Sequence, residues 1–141
     1  MFKMSSFYYS FYISKKEKRD YNKDKKGGDA MTYEELVATV RTATQNMVVS
    51  KGLGHIAYQF NVEGEGEGAF YLELDHGRIN VEPYEYYDRD LIIVTTAQVL
   101  LQMTAGEIQP MEAYTNGQIK VYDGDPKKLE LLPLGRHLQK Q

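Results

Sequence analysis

Three successive segments of the chain alternate apolar with polar or small residues, and this two-residue period limits the fold more than any other feature. They cover residues 56–62, 70–74 and 79–81. Glycine-rich residues 64–68 separate the first two segments, and the tight-turn sequence of residues 75–78 (DHGR) separates the second from the third. The pattern predicts three strands in an antiparallel meander, each with one face toward a core.

A helix is predicted directly before this meander. Thr32 and Glu35 have the spacing of a capping box, in which each side chain bonds the backbone N–H of the other residue. Lys51-Gly52 supplies a cationic last turn and a helix end, so we expect the helix to continue to that point. The apolar residues that share one side at helical spacing are Leu36, Val37, Val40, Met47 and Val48.

The apolar run at residues 91–94 (LIIV) has no polar face. Such a run is typical of a central strand that is covered on both sides. Thr95 or Thr96 can then cap a helix that ends at Gly106. We therefore expect a buried strand that leads straight into a helix.

A second short helix is predicted to begin at Pro110 and end at Gly117. Residues 119–122 return to strand alternation, and Asp125-Pro126 provides a cap and a first-turn proline for a last short helix. Together these elements predict an α+β domain over residues 31–141.

Composition excludes several classes of function. The chain has no cysteine, which removes disulfides and thiolate metal sites and makes a reducing cytoplasm the expected setting. Residues 31–141 hold nine basic and sixteen acidic side chains, a balance that disfavours nucleic acid or an anionic membrane as partner. No run of about 18 apolar residues is present, so we expect no stable membrane insertion.

The first thirty residues differ from the rest, with eight basic and four acidic side chains. We expect residues 1–30 to be a disordered leader or a mis-assigned N-terminal extension, outside the folded domain. A secretory signal is the weaker alternative, because the apolar stretch at residues 7–13 is aromatic and no small-x-small cleavage site follows it.

Residues suited to catalysis or metal binding are scarce after residue 30. Ser50 is the sole serine there and has no G-x-S-x-G context, so a serine hydrolase is not expected. His55, His76 and His137 lie far apart in sequence, each near a predicted turn or terminus, and we interpret each as a lone surface histidine. We expect no cofactor, no metal and no catalytic residue.

The order and spacing of the elements resemble the sterol carrier protein type 2 lipid-binding domain family over residues 32–134. The most distinctive part is TAGEIQPMEAYTNGQIKVYDGD, residues 104–125. The positions that match the family pattern are Gly106, Pro110, Ala113, Tyr114, Gly117, Ile119, Val121, Gly124 and Asp125.

The resemblance implies a five-stranded, mostly antiparallel mixed sheet with helices packed on one face and an apolar tunnel between the two layers. It also implies non-catalytic binding or transfer of a fatty acid, a phospholipid or a sterol-like molecule. By position in the family pattern, the expected lipid-binding residues are Phe70, Leu72, Ile93, Leu100, Met103, Ile108, Met111, Tyr114, Ile119 and Leu132.

Two features depart from the family. Pro133 breaks the last helix, which covers the tunnel in longer members, so we expect an incomplete cover or one completed by a partner chain, as in a homodimer. The chain lacks a peroxisomal signal, which keeps the cytoplasm as the expected location. Coenzyme A esters are disfavoured, because no basic cluster is present to hold a nucleotide phosphate.

A protein-interaction or assembly module with a fully packed core is the alternative from another class. The residues that favour it are the tyrosines at positions 84–87 and the exposed leucines expected at Leu134 and Leu138. An enzyme that uses carboxylates and tyrosine as acid and base stays open as a third reading.

Overall fold

A computed structural model of the protein describes residues 31–135. The expectations for residues 1–30, His137 and Leu138 lie outside this range. The helices and strands are α1 (Tyr33–Thr44), β1 (His55–Glu63), β2 (Gly68–Asp75), β3 (Arg78–Glu82), β4 (Leu91–Thr96), α2 (Ala97–Thr104), α3 (Pro110–Thr115) and β5 (Lys120–Tyr122). The described residues also contain two 3-10 helices, Lys51–Leu53 and Pro126–Leu131.

The strands form one five-stranded sheet in the order β3-β2-β1-β4-β5. β1 runs parallel to β4, and the other three neighbouring pairs are antiparallel. Between β3 and β4 the chain passes β2 and β1 to reach the position beside β1. This crossover allows β4 to run parallel to β1. The predicted meander and the mostly antiparallel mixed sheet are confirmed.

The turn between β2 and β3 fixes their register. His76 and Gly77 both have positive φ angles, 49° and 99°, which match the twist of a two-residue hairpin. Asp75 consequently pairs with Arg78, and Leu72 lies opposite Val81. This register places the apolar residues of both strands on one face of the sheet, here called the inner face.

Helix α1 begins as predicted and ends earlier than predicted. Thr32 and Glu35 make both hydrogen bonds of the capping box. The helix stops at Thr44 rather than near Gly52, and Val48 is 91% exposed instead of facing the core. Threonine and asparagine at residues 42–46 are poor helix formers, and the Thr44 hydroxyl hydrogen-bonds back to the Val40 carbonyl.

Strand β4 is buried on one face only, so the expectation of cover on both sides is wrong. Leu91 and Ile93 are fully buried on the inner face, whereas Ile92 and Val94 are half-buried on the opposite, outer face. The apolar helix residues of the described part join one core cluster with the inner face. Within residues 31–135, the outer-face residues Ile92 and Val94 do not belong to that core cluster.

In the second half of the fold, the helices begin at predicted capping and proline residues. The Thr96 hydroxyl caps α2 by accepting a hydrogen bond from the Val99 N–H. Pro110 is the first residue of α3, and Asp125 caps the last short helix, which is a 3-10 helix. None of the helices within residues 31–135 has the length and apolar character needed to cross a bilayer.

The segment after the last 3-10 helix corrects one expectation. Leu134, expected as an exposed contact for a partner, is completely buried and belongs to the core. One of the two leucines that favoured an interaction module is thus an interior residue.

Candidate functional site

The inner face of the sheet meets the helices in an apolar interior. Phe60 on the central strand β1 lies between Phe70 on β2 and Ile93 on β4. The rings of Phe60 and Phe70 stack with centroids 5.0 Å apart and an interplanar angle of 10°. The next row of the sheet places Tyr58 between Leu72 and Leu91. Two adjacent rows of large apolar side chains therefore form the floor of the candidate lipid site.

The structure brings nine of the ten expected lipid-binding residues into the core cluster. The seven that are buried are Phe70, Leu72, Ile93, Leu100, Met103, Ile119 and Leu132. Ile108, in the link between α2 and α3, and Met111 on α3 are partly buried and pack against the same cluster. Their assignment to a lipid stays a prediction.

Tyr114 is the exception in this set. It lies on α3 but is 37% exposed, whereas the preceding Ala113 is completely buried. Adjacent residues of a helix point about 100° apart, so a helix that turns Ala113 toward the core turns Tyr114 away from it. Tyr114 therefore lies at the surface of the helical layer.

The buried hydroxyls of the interior are directed at the backbone. Thr44 and Thr104 donate to the carbonyl oxygens of Val40 and Leu100, at 3.0 and 2.8 Å. Thr95 donates to the carbonyl of its neighbour at 3.1 Å. Within residues 31–135, Arg89 Nε is the one buried side-chain N or O atom without a hydrogen-bond partner. The interior thus presents hydrocarbon to whatever contacts it.

A polar cluster lies on the outer face of the sheet, opposite this interior. The Nε2 atom of His55 is 2.6 Å from Glu73 Oε2 and 3.0 Å from the Tyr86 hydroxyl. Tyr86 donates to the same Glu73 oxygen at 2.9 Å, and Asn80 donates to the other at 3.1 Å. The ring of Tyr86 also meets Tyr71 edge to face, with centroids 4.7 Å apart. We name His55, Glu73 and Tyr86 the outer-face triad.

The triad shifts the pKa values of two of its members. Burial raises the pKa of Glu73, but the hydrogen bonds from Asn80, His55 and Tyr86 together with the charge of His55 outweigh it, and the net pKa lies below its ordinary value. Burial, followed by the hydrogen bond to Glu73, raises the pKa of Tyr86 to about 12. Glu73 is therefore a carboxylate at neutral pH, and Tyr86 a protonated donor.

The interpretation of His55 as a lone surface residue is wrong. One signal was present in the sequence, because strand alternation places His55 and Glu73 on the same side of the β1–β2 hairpin. The position of Tyr86 had no such signal, since residues 83–90 form the long connection between β3 and β4. That connection folds back over the outer face.

Comparison with known sequences identifies the family. The profile described as "SCP-2 sterol transfer family" matches residues 34–132, which covers most of the chain. The protein belongs to the SCP-2 sterol transfer family. No curated protein sequence matches this chain significantly.

Several solved structures are similar to this chain. The structure of a protein described as "UbiJ-SCP2 Ubiquinone synthesis protein" matches 77% of this chain and 95% of its own, with 15% identity and a TM-score of 0.56. Apo sterol carrier protein 2 from Yarrowia lipolytica matches 80% of this chain and 96% of its own, at 15% identity and TM-score 0.47. The sec-alkylsulfatase Pisa1 from Pseudomonas sp. matches 57% of this chain with 13% of its own, at 24% identity and TM-score 0.48.

Proposed function

We propose that this protein binds a lipid in an apolar tunnel between the inner face of the sheet and the helices, and carries it without a catalytic step. Membership of the SCP-2 sterol transfer family supports lipid binding or transfer in general. The ligand classes we propose are a fatty acid, a phospholipid or a sterol-like molecule.

The observation that carries this proposal is the chemistry of the interior. The inner face contributes phenylalanine, leucine and isoleucine, and the buried threonines donate their hydroxyl hydrogen bonds to backbone carbonyls. Such an interior favours an alkyl chain, because each buried CH₂ contributes about 0.8 kcal/mol. Among residues 31–135 no charged side chain is buried, so we place an ionised head group at the surface of the protein.

The proposal includes no reaction at this site. The serine that could act as a nucleophile, Ser50, accepts a hydrogen bond from the Gly52 N–H as the cap of a 3-10 helix. His55 lies on the outer face, with the sheet between it and the apolar interior. The proposed location of the carrier is the cytoplasm, which the lack of cysteine favours. If a second copy completes the cover of the tunnel, the proposed assembly is a homodimer.

Native mass spectrometry of the purified protein tests the proposal directly. We expect a mass increment that disappears when the protein is denatured and whose extract contains a lipid. Titration with a fluorescent fatty acid should then show saturable binding that an unlabelled lipid displaces. A clean apo mass together with no binding of fatty acid, phospholipid or sterol would remove the carrier function.

A further inference from the structure

Residues 83–90, here called the β3–β4 loop, connect the edge strand β3 with β4, which lies beyond β2 and β1 in the sheet. The start of this loop is held by Arg41 of α1. The guanidinium donates from Nε and from a terminal nitrogen to the Val81 carbonyl, at 3.0 and 2.8 Å, and contacts Glu82 at 3.4 Å. The strand end before the loop is therefore tied to a helix.

The middle of the loop is held by Tyr86. Its backbone N–H donates to the buried Gln59 side chain at 3.0 Å, and its hydroxyl belongs to the outer-face triad. Its ring packs edge to face against Tyr71 and, at 5.8 Å, against His55. One tyrosine of the loop is thus an anchor against the sheet.

The end of the loop is held by Arg89 and Asp90. Arg89 donates to the Tyr86 carbonyl and to Asp123, both at 3.2 Å. Asp90 exchanges hydrogen bonds with the backbone of Ala57 and pairs with Lys128 at 3.0 Å. Two anchor points within the loop, and a third on the strand directly before it, leave the loop little conformational freedom.

Two tyrosines of this fixed loop nevertheless point into solvent. Tyr84 is 64% exposed and Tyr87 is 94% exposed. Exposed Glu85 and Asp88 accompany them, while the cations of the loop region, Arg41 and Arg89, are engaged with carbonyls and carboxylates of the protein itself. The loop therefore presents two aromatic rings and two carboxylates on a rigid support.

We propose that the β3–β4 loop is a docking element for a protein partner with an arginine-rich surface, with Tyr84 and Tyr87 as the contact residues. A guanidinium stacks on an aromatic face and pairs with a carboxylate, so one arginine can use both features of the loop. Tyrosine suits such a contact because it brings a large area with little side-chain entropy to lose. The fixed backbone lowers the ordering cost of association.

The charge of the loop decides the class of partner. Glu85 and Asp88 repel nucleic acid and anionic membranes, which need cationic surfaces. They attract a basic protein surface, and such an attraction weakens as salt screens it. This inference goes beyond lipid carriage and does not depend on the interior being occupied.

Fluorescence anisotropy with labelled nona-arginine as the probe tests the inference on the full chain. We expect Tyr84→Ala and Tyr87→Ala each to weaken binding by about fivefold or more, as for central aromatic contacts. Tyr122→Ala is the matched control, because Tyr122 is 52% exposed on β5 and lies outside the loop. The proposal is overturned if the three variants bind the probe alike, or if wild type does not bind it at about 0.05 M salt.

Two further measurements separate the alternatives. Replacing Glu85 and Asp88 by Gln and Asn should flatten the salt dependence of probe binding. Glu107→Gln, which alters an exposed carboxylate in the link after α2, should not. Loss of binding to phosphatidylcholine vesicles in Tyr87→Ala, with probe binding unchanged, would assign the loop to a membrane and refute the protein partner. Fatty-acid affinity should be the same in all loop variants, so a failure here is distinct from a failure of the carrier function.

Discussion

Tyr58 on β1 donates its hydroxyl hydrogen to the carbonyl oxygen of Lys128 at 2.7 Å, across 70 residues of sequence. Tyr58 is completely buried in the core, and Lys128 lies in the 3-10 helix Pro126–Leu131. The ammonium group of the same Lys128 pairs with Asp90 near the surface, at 3.0 Å. The last 3-10 helix is thus tied to the central strand by an interior hydrogen bond and to the end of the β3–β4 loop by an ion pair.

The two interactions of Lys128 should contribute unequally to stability. Tyr58→Phe leaves a carbonyl without this partner and should lower the free energy of unfolding by about 1 to 3 kcal/mol. Lys128→Ala keeps that carbonyl bond and removes a partly exposed ion pair, which should cost less than about 1 kcal/mol. Urea unfolding of both variants gives the comparison, and a larger loss in Lys128→Ala would contradict this account.

Gly117 ends α3 with a φ angle of 80°, a region that β-branched residues avoid. No atom outside its immediate neighbours lies within 4 Å of where a Cβ would be, so a substitution meets strain and not collision. Gly117→Val should therefore cost more than about 1 kcal/mol, while Gly117→Asn should cost less because asparagine tolerates this conformation. Thermal melting should rank the three proteins in that order. Equal melting temperatures would show that the end of α3 does not depend on this conformation.

Because the pKa of Glu73 is lowered, the free energy of unfolding depends on pH in the acidic range. Because the folded-state pKa lies below the ordinary value of 4.5, the triad contributes stability that is fully present above pH 4.5 and is lost as pH falls through the folded-state pKa. The difference in unfolding free energy between wild type and Glu73→Gln should therefore shrink as pH falls through this window. Glu67→Gln, which alters an exposed carboxylate of the β1–β2 turn, should show no such trend. A pH-independent gap for Glu73→Gln would refute the linkage.

Local sequence signals predicted the elements that are determined locally. The alternation of β1 and β2, the capping box of α1 and the proline at the start of α3 each depend on residues a few positions apart, and each is confirmed. The end of α1 was missed because Met47 and Val48 keep the apolar spacing of a helix. The poor helix formers before them nevertheless end the helix at Thr44.

Features that depend on long connections were not predictable in this way. Leu134 becomes an interior residue although Pro133 and Gly135 flank it, since the chain turns inward after the last 3-10 helix. Tyr86 reaches His55 and Glu73 only because the β3–β4 loop crosses the outer face. The expected lipid-binding residues came from the family resemblance, and nine of the ten lie in the core cluster or pack against it.

Met103 offers the sharpest test of the tunnel. It is completely buried on α2, three residues from the equally buried Leu100, within the apolar interior. In a fully packed interior, Met103→Trp adds volume with no space to take it and should cost about 1 to 3 kcal/mol. If a lipid chain normally occupies the space beside Met103, the indole takes the place of that chain instead.

We expect Met103→Trp to keep most of the stability of the wild type and to lose affinity for a fluorescent fatty acid. Leu74→Trp is the matched control. Leu74 is also completely buried on the inner face but is not among the expected lipid-binding residues. Overpacking should therefore lower the free energy of unfolding more in Leu74→Trp than in Met103→Trp. The chain has no natural tryptophan, so the emission of each variant reports the surroundings of the new indole alone. Blue-shifted emission from Met103→Trp with unchanged fatty-acid affinity would place the indole in an apolar interior that lipid does not use, and would count against a tunnel beside α2.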